Sequence, residues 1–112
     1  MTVHIVEDDI GVRDALSELC RSIGRRVKTY ADGESFQTAT GIAPTDVVLV
    51  DLGLPGESGP AVVRRVRALP EPPKVIVISG LPLSDISIAM SGLSDVLVMR
   101  KPLIGGLLRE LM

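Results

Sequence analysis

Aromatic side chains are almost missing from this chain of 112 residues: it has no tryptophan, and Tyr30 and Phe36 make up the whole 2%. Cysteine is nearly absent too. Cys20 alone cannot close an internal disulfide, and without a CxxC or a Cys/His cluster there is no zinc ligand set, so a reducing, cytoplasmic compartment is expected. No apolar run approaches the length of a membrane span, and Met1 leads straight into Thr2-Val3-His4-Ile5-Val6 without the features of a signal peptide. Nor is there an excess of positive charge. Lys+Arg 12 against Asp+Glu 14 gives a net charge of −2, which argues against sequence-independent binding of nucleic acid. What is plentiful is aliphatic: hydrophobic residues are 46% of the chain and mean hydropathy is +0.37. The length fits one domain, residues 1–112, able to bury roughly two-thirds of its unfolded surface. Gly 11 and Pro 8 show no collagen-like period and read as turn punctuation.

Short, β-branched runs recur along the chain. Val3–Val6, Asp46–Val50, Lys74–Ile78 and Val96–Met99 are strands in this reading, three of them near-continuous in apolar residues, as strands covered on both faces should be. Arg26–Tyr30 alternates instead, the pattern of an edge strand with one wet face. Helical patterns lie between. Val12, Ala15, Leu16, Leu19, Cys20 and Ile23 form an amphipathic stripe ended by Gly24. A short helix is predicted over 33–40. Another, over 59–69, puts Val62, Val63, Val66 and Leu69 on one side and Arg64, Arg65 and Arg67 on a solvated one. The segment 82–92 carries Leu83, Ile86 and Met90 on one face, and 103–112 forms a last short helix, about 15 Å long. Its length suits a chain cut before a linker. An apolar outer side on that helix, from Leu107, Leu108, Leu111 and Met112, would be a docking surface or the seam of a homodimer.

Alternating strand and helix predicts an α/β fold: a parallel sheet with helices on both faces and right-handed crossovers. In open sheets of this kind, sites gather beyond the carboxyl ends of the strands. There the chain places Glu7-Asp8-Asp9, Asp51, Ser79-Gly80 and Arg100-Lys101-Pro102. Singly, these are common turn formers, caps and surface charges. Together, carboxylates that repel one another call for a cation among them, and hard oxygen ligands suit Mg²⁺. A divalent ion beside one projecting carboxylate, with a hydroxyl and an ammonium nearby, is equipment for phosphoryl transfer to that carboxylate. His4, inside the first strand, and Cys20, on a core stripe, read as structural residues.

Val3-His4-Ile5-Val6-Glu7-Asp8-Asp9, Val50-Asp51-Leu52-Gly53-Leu54-Pro55-Gly56-Glu57-Ser58-Gly59, Ile78-Ser79-Gly80 and Lys101-Pro102, in that order, resemble the receiver domain of bacterial two-component response regulators. The resemblance spans essentially the whole chain. It implies a doubly wound, flavodoxin-like, five-stranded parallel sheet of order 2-1-3-4-5 and a phosphoacceptor function. A phosphohistidine of a sensor histidine kinase or phosphotransfer protein would supply the phosphoryl group to Asp51. Asp8 would ligate Mg²⁺ directly, Glu7 through water, and Gly53 through its backbone carbonyl. Ser79 and Lys101 would each meet a phosphoryl oxygen, Asp9 would serve the start of a helix, and the Lys101-Pro102 bond would be cis. The bare Gly53 leaves room beside the phosphate, which bears on the rate of autodephosphorylation. Such a module is modified and self-dephosphorylating, not an enzyme with turnover, and it signals to an output domain or downstream protein.

The chain departs from the family at its switch. The family turns an aromatic residue on the fifth strand inward, but counting from Lys101 that position is Val98, and counting from Asp95 it is Val96. With no ring available, the expectation is that the 79–92 segment, stiffened by Pro82, carries the signal. Competing readings fit less well. A phosphatase or mutase wants a general acid where Gly53 stands. A flavin or nucleotide module wants a phosphate loop where Glu7-Asp8-Asp9 would repel one. A degenerate receiver used only for protein contact is opposed by intact Asp8, Asp51, Ser79 and Lys101.

Overall fold

A computed structural model describes residues 1–93 and 96–101. The expectations for Asp95, the Lys101-Pro102 bond and the final helix, residues 103–112, fall outside the described residues. The chain runs β1 (Thr2–Val6), α1 (Ile10–Ser22), β2 (Arg26–Tyr30), α2 (Gly33–Phe36), β3 (Val47–Asp51), α3 (Gly59–Arg67), β4 (Lys74–Ser79), α4 (Leu83–Ala89) and β5 (Leu97–Arg100). The five strands form one sheet in the order β2-β1-β3-β4-β5, every neighbouring pair parallel.

The near-continuous apolar strands are covered on both faces because alternate residues enter two separate cores. Val6, Val48, Val50, Val75 and Val77 pack against Phe36 of α2, the valines of α3, and Ile86 and Met90 at α4. Val3, Ile5, Val47, Leu49, Ile76 and Ile78 turn the other way, onto Leu16 and Cys20 of α1. Burial of this kind stabilises by about 25 cal/mol per Å² of apolar surface. It also fixes register, since a slip of one residue would exchange the two faces.

Several elements differ from their sequence patterns. On α1 the face toward the sheet carries Leu16, Ser17 and Cys20, while Ala15 is exposed; the Ser17 hydroxyl donates to the Arg13 carbonyl, so its burial leaves no polar group unmet. α2 stops at Phe36, short of Thr40. Thr38 N–H and Ala39 N–H close tight turns onto Ser35 and Phe36, and the Thr38 hydroxyl also binds the Ser35 carbonyl, competing with the helical ladder. β5 is an edge strand that exposes Leu97 and Val98, where the sequence suggested cover on both faces. Asp46 lies just before β3 and accepts from the Thr2 and Ala43 amides and from His4 Nε2 at 3.0 Å. Burial opposes an ionised Asp46, yet these hydrogen bonds hold its pKa below the ordinary value. His4 is thus a buried structural residue, its other ring nitrogen 3.2 Å from the Tyr30 hydroxyl.

α3 starts tight against β3. A Cβ on Gly59 would sit 2.6 Å from the Asp51 carbonyl oxygen and 2.7 Å from Leu52 Cα, so only glycine lets the helix begin there. A Cβ on Gly80 would meet nothing within 4 Å. Gly59→Ala is therefore expected to cost about 2 kcal/mol through overpacking, roughly 10 °C in Tm for a domain of this size. Gly80→Ala should melt close to the unmodified chain; differential scanning calorimetry on the pair checks this.

Candidate functional site

Parallel pairing brings the carboxyl ends of β1, β3, β4 and β5 to one edge. Val6 pairs with Val50, Asp51 with Ile78, and Ser79 with Arg100, so the residues that follow emerge side by side. One carboxylate oxygen each from Glu7, Asp8 and Asp51 lies within 4.8 Å of the others. Lys101 Nζ stands 3.3 Å from Glu7 Oε2 and 3.8 Å from Asp51 Oδ1. Its backbone is placed by the Lys101 amide, which donates to the Ser79 carbonyl at 2.9 Å.

Local contacts aim each group. Glu7 is held by its carbonyl, which accepts from Arg13 Nη1, and by its side chain, which accepts from the Asp9 amide at 3.2 Å. Asp9 itself is the N-cap of α1, accepting from the Val12 amide, as its position beyond the acidic pair suggested. Asp51 Oδ1 accepts from the Gly53 amide at 3.2 Å. A Cβ on Gly53 would lie 3.9 Å from both Asp51 oxygens, ordinary contact, so this glycine is not sterically required and its bareness leaves open space beside the carboxylate. The Ser79 side chain is buried, its hydroxyl accepting from the Leu81 amide at 3.0 Å. All six sequence candidates, Glu7, Asp8, Asp51, Gly53, Ser79 and Lys101, therefore gather at the same edge.

The electrostatics are unbalanced. Glu7 is 1% exposed, and its Oε2 makes no hydrogen bond among the described residues. Burial, followed by the charge of Asp51, raises its pKa from 4.5 to about 7, against which Lys101 works only in part. A buried carboxylate oxygen that has the Lys101 ammonium at 3.3 Å but no hydrogen bond, facing two further carboxylates, suits a hard divalent cation, and these residues fit Mg²⁺.

Sequence reasoning missed one part of the neighbourhood. Arg65, grouped with the solvated arginines of α3, pairs with Glu57 in the loop after Asp51, donates to the Gly33 carbonyl, and lies over the Phe36 ring. The Glu57–Arg65 separation of eight residues spans a loop and a helix end, so no helical spacing marks it. On β5, Val98 sits within the strand opposite Val77, while Val96 precedes the strand. The count from Lys101 is thus the one that lands on the strand, at a valine 40% exposed.

A doubly wound parallel sheet with an acidic cluster and a lysine at its carboxyl edge defines a class of α/β domains with a candidate cation site at that edge. The comparisons narrow it. The sequence pattern of the response regulator receiver domain matches residues 3–103, and the chain belongs to that family. It is similar to the response regulator protein TmoT of Ectopseudomonas mendocina, 38% identical over 78 residues, covering 70% of this chain and 36% of the relative. It is also similar to the C4-dicarboxylate transport transcriptional regulatory protein DctR of Rhodobacter capsulatus, 33% identical over 94 residues, covering 82% of this chain and 47% of that one. The chain thus spans between a third and a half of these relatives. Among solved structures it resembles FixJ-N, 28% identical with a TM-score of 0.84 over 98% of this chain and 88% of that one. A CheY-like receiver domain from Methylobacillus flagellatus, 27% identical, gives a TM-score of 0.82 over 100% and 98%.

The raised pKa of Glu7 has a stability consequence with a definite sign. Between about 4.5 and about 7 the folded chain holds a proton that the unfolded chain releases, so without divalent cations stability falls as pH rises through that window. Urea midpoints in the presence of a chelator should be higher at pH 5.5 than at pH 7.5. Glu7→Gln should flatten that difference and raise the midpoint at pH 7.5.

Proposed function

We propose that the chain accepts a phosphoryl group on Asp51 from a phosphohistidine of a sensor kinase or phosphotransfer protein. The observation that carries this reading is the placement of the Asp51 carboxylate, 7% exposed, 3.8 Å from the Lys101 ammonium and with an oxygen within 4.8 Å of oxygens of Glu7 and Asp8. An Asp51 oxygen attacks phosphorus, the P–N bond breaks, and the imidazole leaves with the electron pair, giving an aspartyl phosphate. Lys101 is placed to meet charge on one phosphoryl oxygen. Ser79 meets another by turning its side chain from Leu81 and donating its hydroxyl proton. Glu7, Asp8, Asp51 and the Gly53 carbonyl would hold Mg²⁺, whose charge offsets that of the transferring group. The open space at Gly53 admits the water that later hydrolyses the acyl phosphate. The protein is modified and restored without a turnover substrate, so it acts as a switch and not as an enzyme.

Output runs through Ser79 in this reading. Turning its hydroxyl to the phosphoryl group gives up the bond to Leu81 N–H at the entry to α4, whose N-cap, Pro82, offers no side-chain capping bond. Valine at 98 cannot perform a ring flip, so the 79–92 segment carries the change. The response to phosphorylation passes to an output region or downstream protein; the relative DctR, a transcriptional regulatory protein, supports an output of that kind. Cytoplasmic placement follows from the same reading.

Incubation with acetyl phosphate and Mg²⁺ should add one phosphoryl mass, measured on the intact protein, and Asp51→Asn should abolish it. No adduct with acetyl phosphate or with a phosphohistidine donor contradicts the reading. With a beryllofluoride mimic, amide exchange should change most at Leu81 and through α4; an unchanged 79–92 segment contradicts the proposed output route.

A further inference from the structure

The loop from Asp51 to α3 carries Gly53 and so shapes the ground beside the phosphoacceptor. Its outer half is gripped from α2 and α3. The Glu57 amide donates to Glu34 Oε1 of α2, while the Glu57 carboxylate takes both contacts of one Arg65 nitrogen from α3. Arg65 reaches back with its other nitrogen to the Gly33 carbonyl at 3.3 Å and lies 5.8 Å over the centre of the Phe36 ring.

The backbone is fitted to this grip. Gly56 turns with φ +65°, and a Cβ there would stand 2.5 Å from Glu34 Oε1. A Cβ on Gly33 would stand 2.6 Å from Glu57 Oε1. A Cβ at either glycine would push the carboxylate end of Glu34 or Glu57 out of its present place. Phe36 in turn packs edge-on against Tyr30 at 5.0 Å, so the clamp is anchored to the core.

We propose that Arg65 and Glu34 are positioning residues for phosphoryl transfer. Through Glu57 they hold the 53–57 segment, and with it the Gly53 backbone at Asp51, in the geometry that binds Mg²⁺. The inference rests on the phosphoacceptor reading. Its structural rival is that burial of Leu52 and Leu54, with Gly59 wedged on β3, already fixes the loop and leaves the clamp redundant.

The test compares the unmodified chain with Arg65→Ala, Arg65→Lys, Glu34→Gln and the charge-matched control Arg64→Ala, an exposed neighbour on the same helix. Partners that orient metal ligands typically change affinity by about 10-fold or more when removed. Arg65→Ala should raise the Mg²⁺ concentration for half-maximal acetyl-phosphate labelling by about tenfold, with the rate at saturating Mg²⁺ retained. Arg65→Lys, which keeps the charge, should recover part of the shift, Glu34→Gln should show a smaller one, and Arg64→Ala none. Without Mg²⁺, amide exchange over 52–58 should quicken in Arg65→Ala alone of the two alanine variants. A shared loss of Tm with unchanged Mg²⁺ dependence and unchanged exchange over 52–58 overturns the proposal. Absence of labelling in the unmodified chain overturns the phosphoacceptor reading and this inference with it, whereas labelling identical in all variants overturns only the inference.

Discussion

The crowding of Glu7, Asp8 and Asp51, with the Lys101 ammonium against Glu7 and Asp51, is the constraint on which the rest of this structure turns. Left to themselves, these carboxylates oppose the fold, and Glu7 shows it: burial first, then the charge of Asp51, pushes its pKa up. They are kept together by groups that have nothing to do with their chemistry. Alternate residues of β1, β3 and β4 lock into two cores, and a register slip that separated the acids would turn both cores inside out. A parallel sheet is well suited to this. Its strands end at one edge, so the aliphatic burial that holds the strands also holds the charges beyond them. The site is tense because the sheet is not.

The few rings of the chain are all spent in one corner. Tyr30 and Phe36 meet edge-on, His4 packs beside both, and Arg65 covers Phe36 from the outside. None is left for β5, where Val98 lies half-open at the sheet edge. The low aromatic content thus has a structural address: the rings pack together beside Arg65, which grips the loop after Asp51, and the β5 edge is left aliphatic. That distribution supports the proposed output route through Ser79 and the start of α4.

Much of this was legible from residue types alone. Strands covered on both faces leave continuous apolar runs, and β3 and β4 show them; β2 is the edge that its alternation suggested, but Val27 and Tyr30 pack into opposite cores, so it has no single wet face. The acids, Ser79 and Lys101 were legible because they stand directly after such runs. Other features leave no local trace. Ser17 replaces Ala15 on the buried face of α1 because its hydroxyl finds a carbonyl within its own helix, which periodicity cannot register. Asp46 and His4 are buried polar residues paired across 42 positions, and Arg65 reaches a loop and a second helix. Such long-range pairs exist only once the sheet has brought their elements together. The end of α2 was misread for a local reason, the competition of Thr38 with the helical ladder, which lies below the resolution of helix propensity.

The central claim is that this edge is an acid cluster built for a divalent cation and centred on Asp51. Thermal melting against Mg²⁺ at pH 7.5 tests it most directly. The unmodified chain should gain stability with added Mg²⁺, by about 2.7 kcal/mol at a hundred times the dissociation constant. Asp51→Asn should start higher, relieved of one charge, and respond far less. A Tm indifferent to Mg²⁺ in the unmodified chain, or an equal rise in Asp51→Asn, would contradict the account.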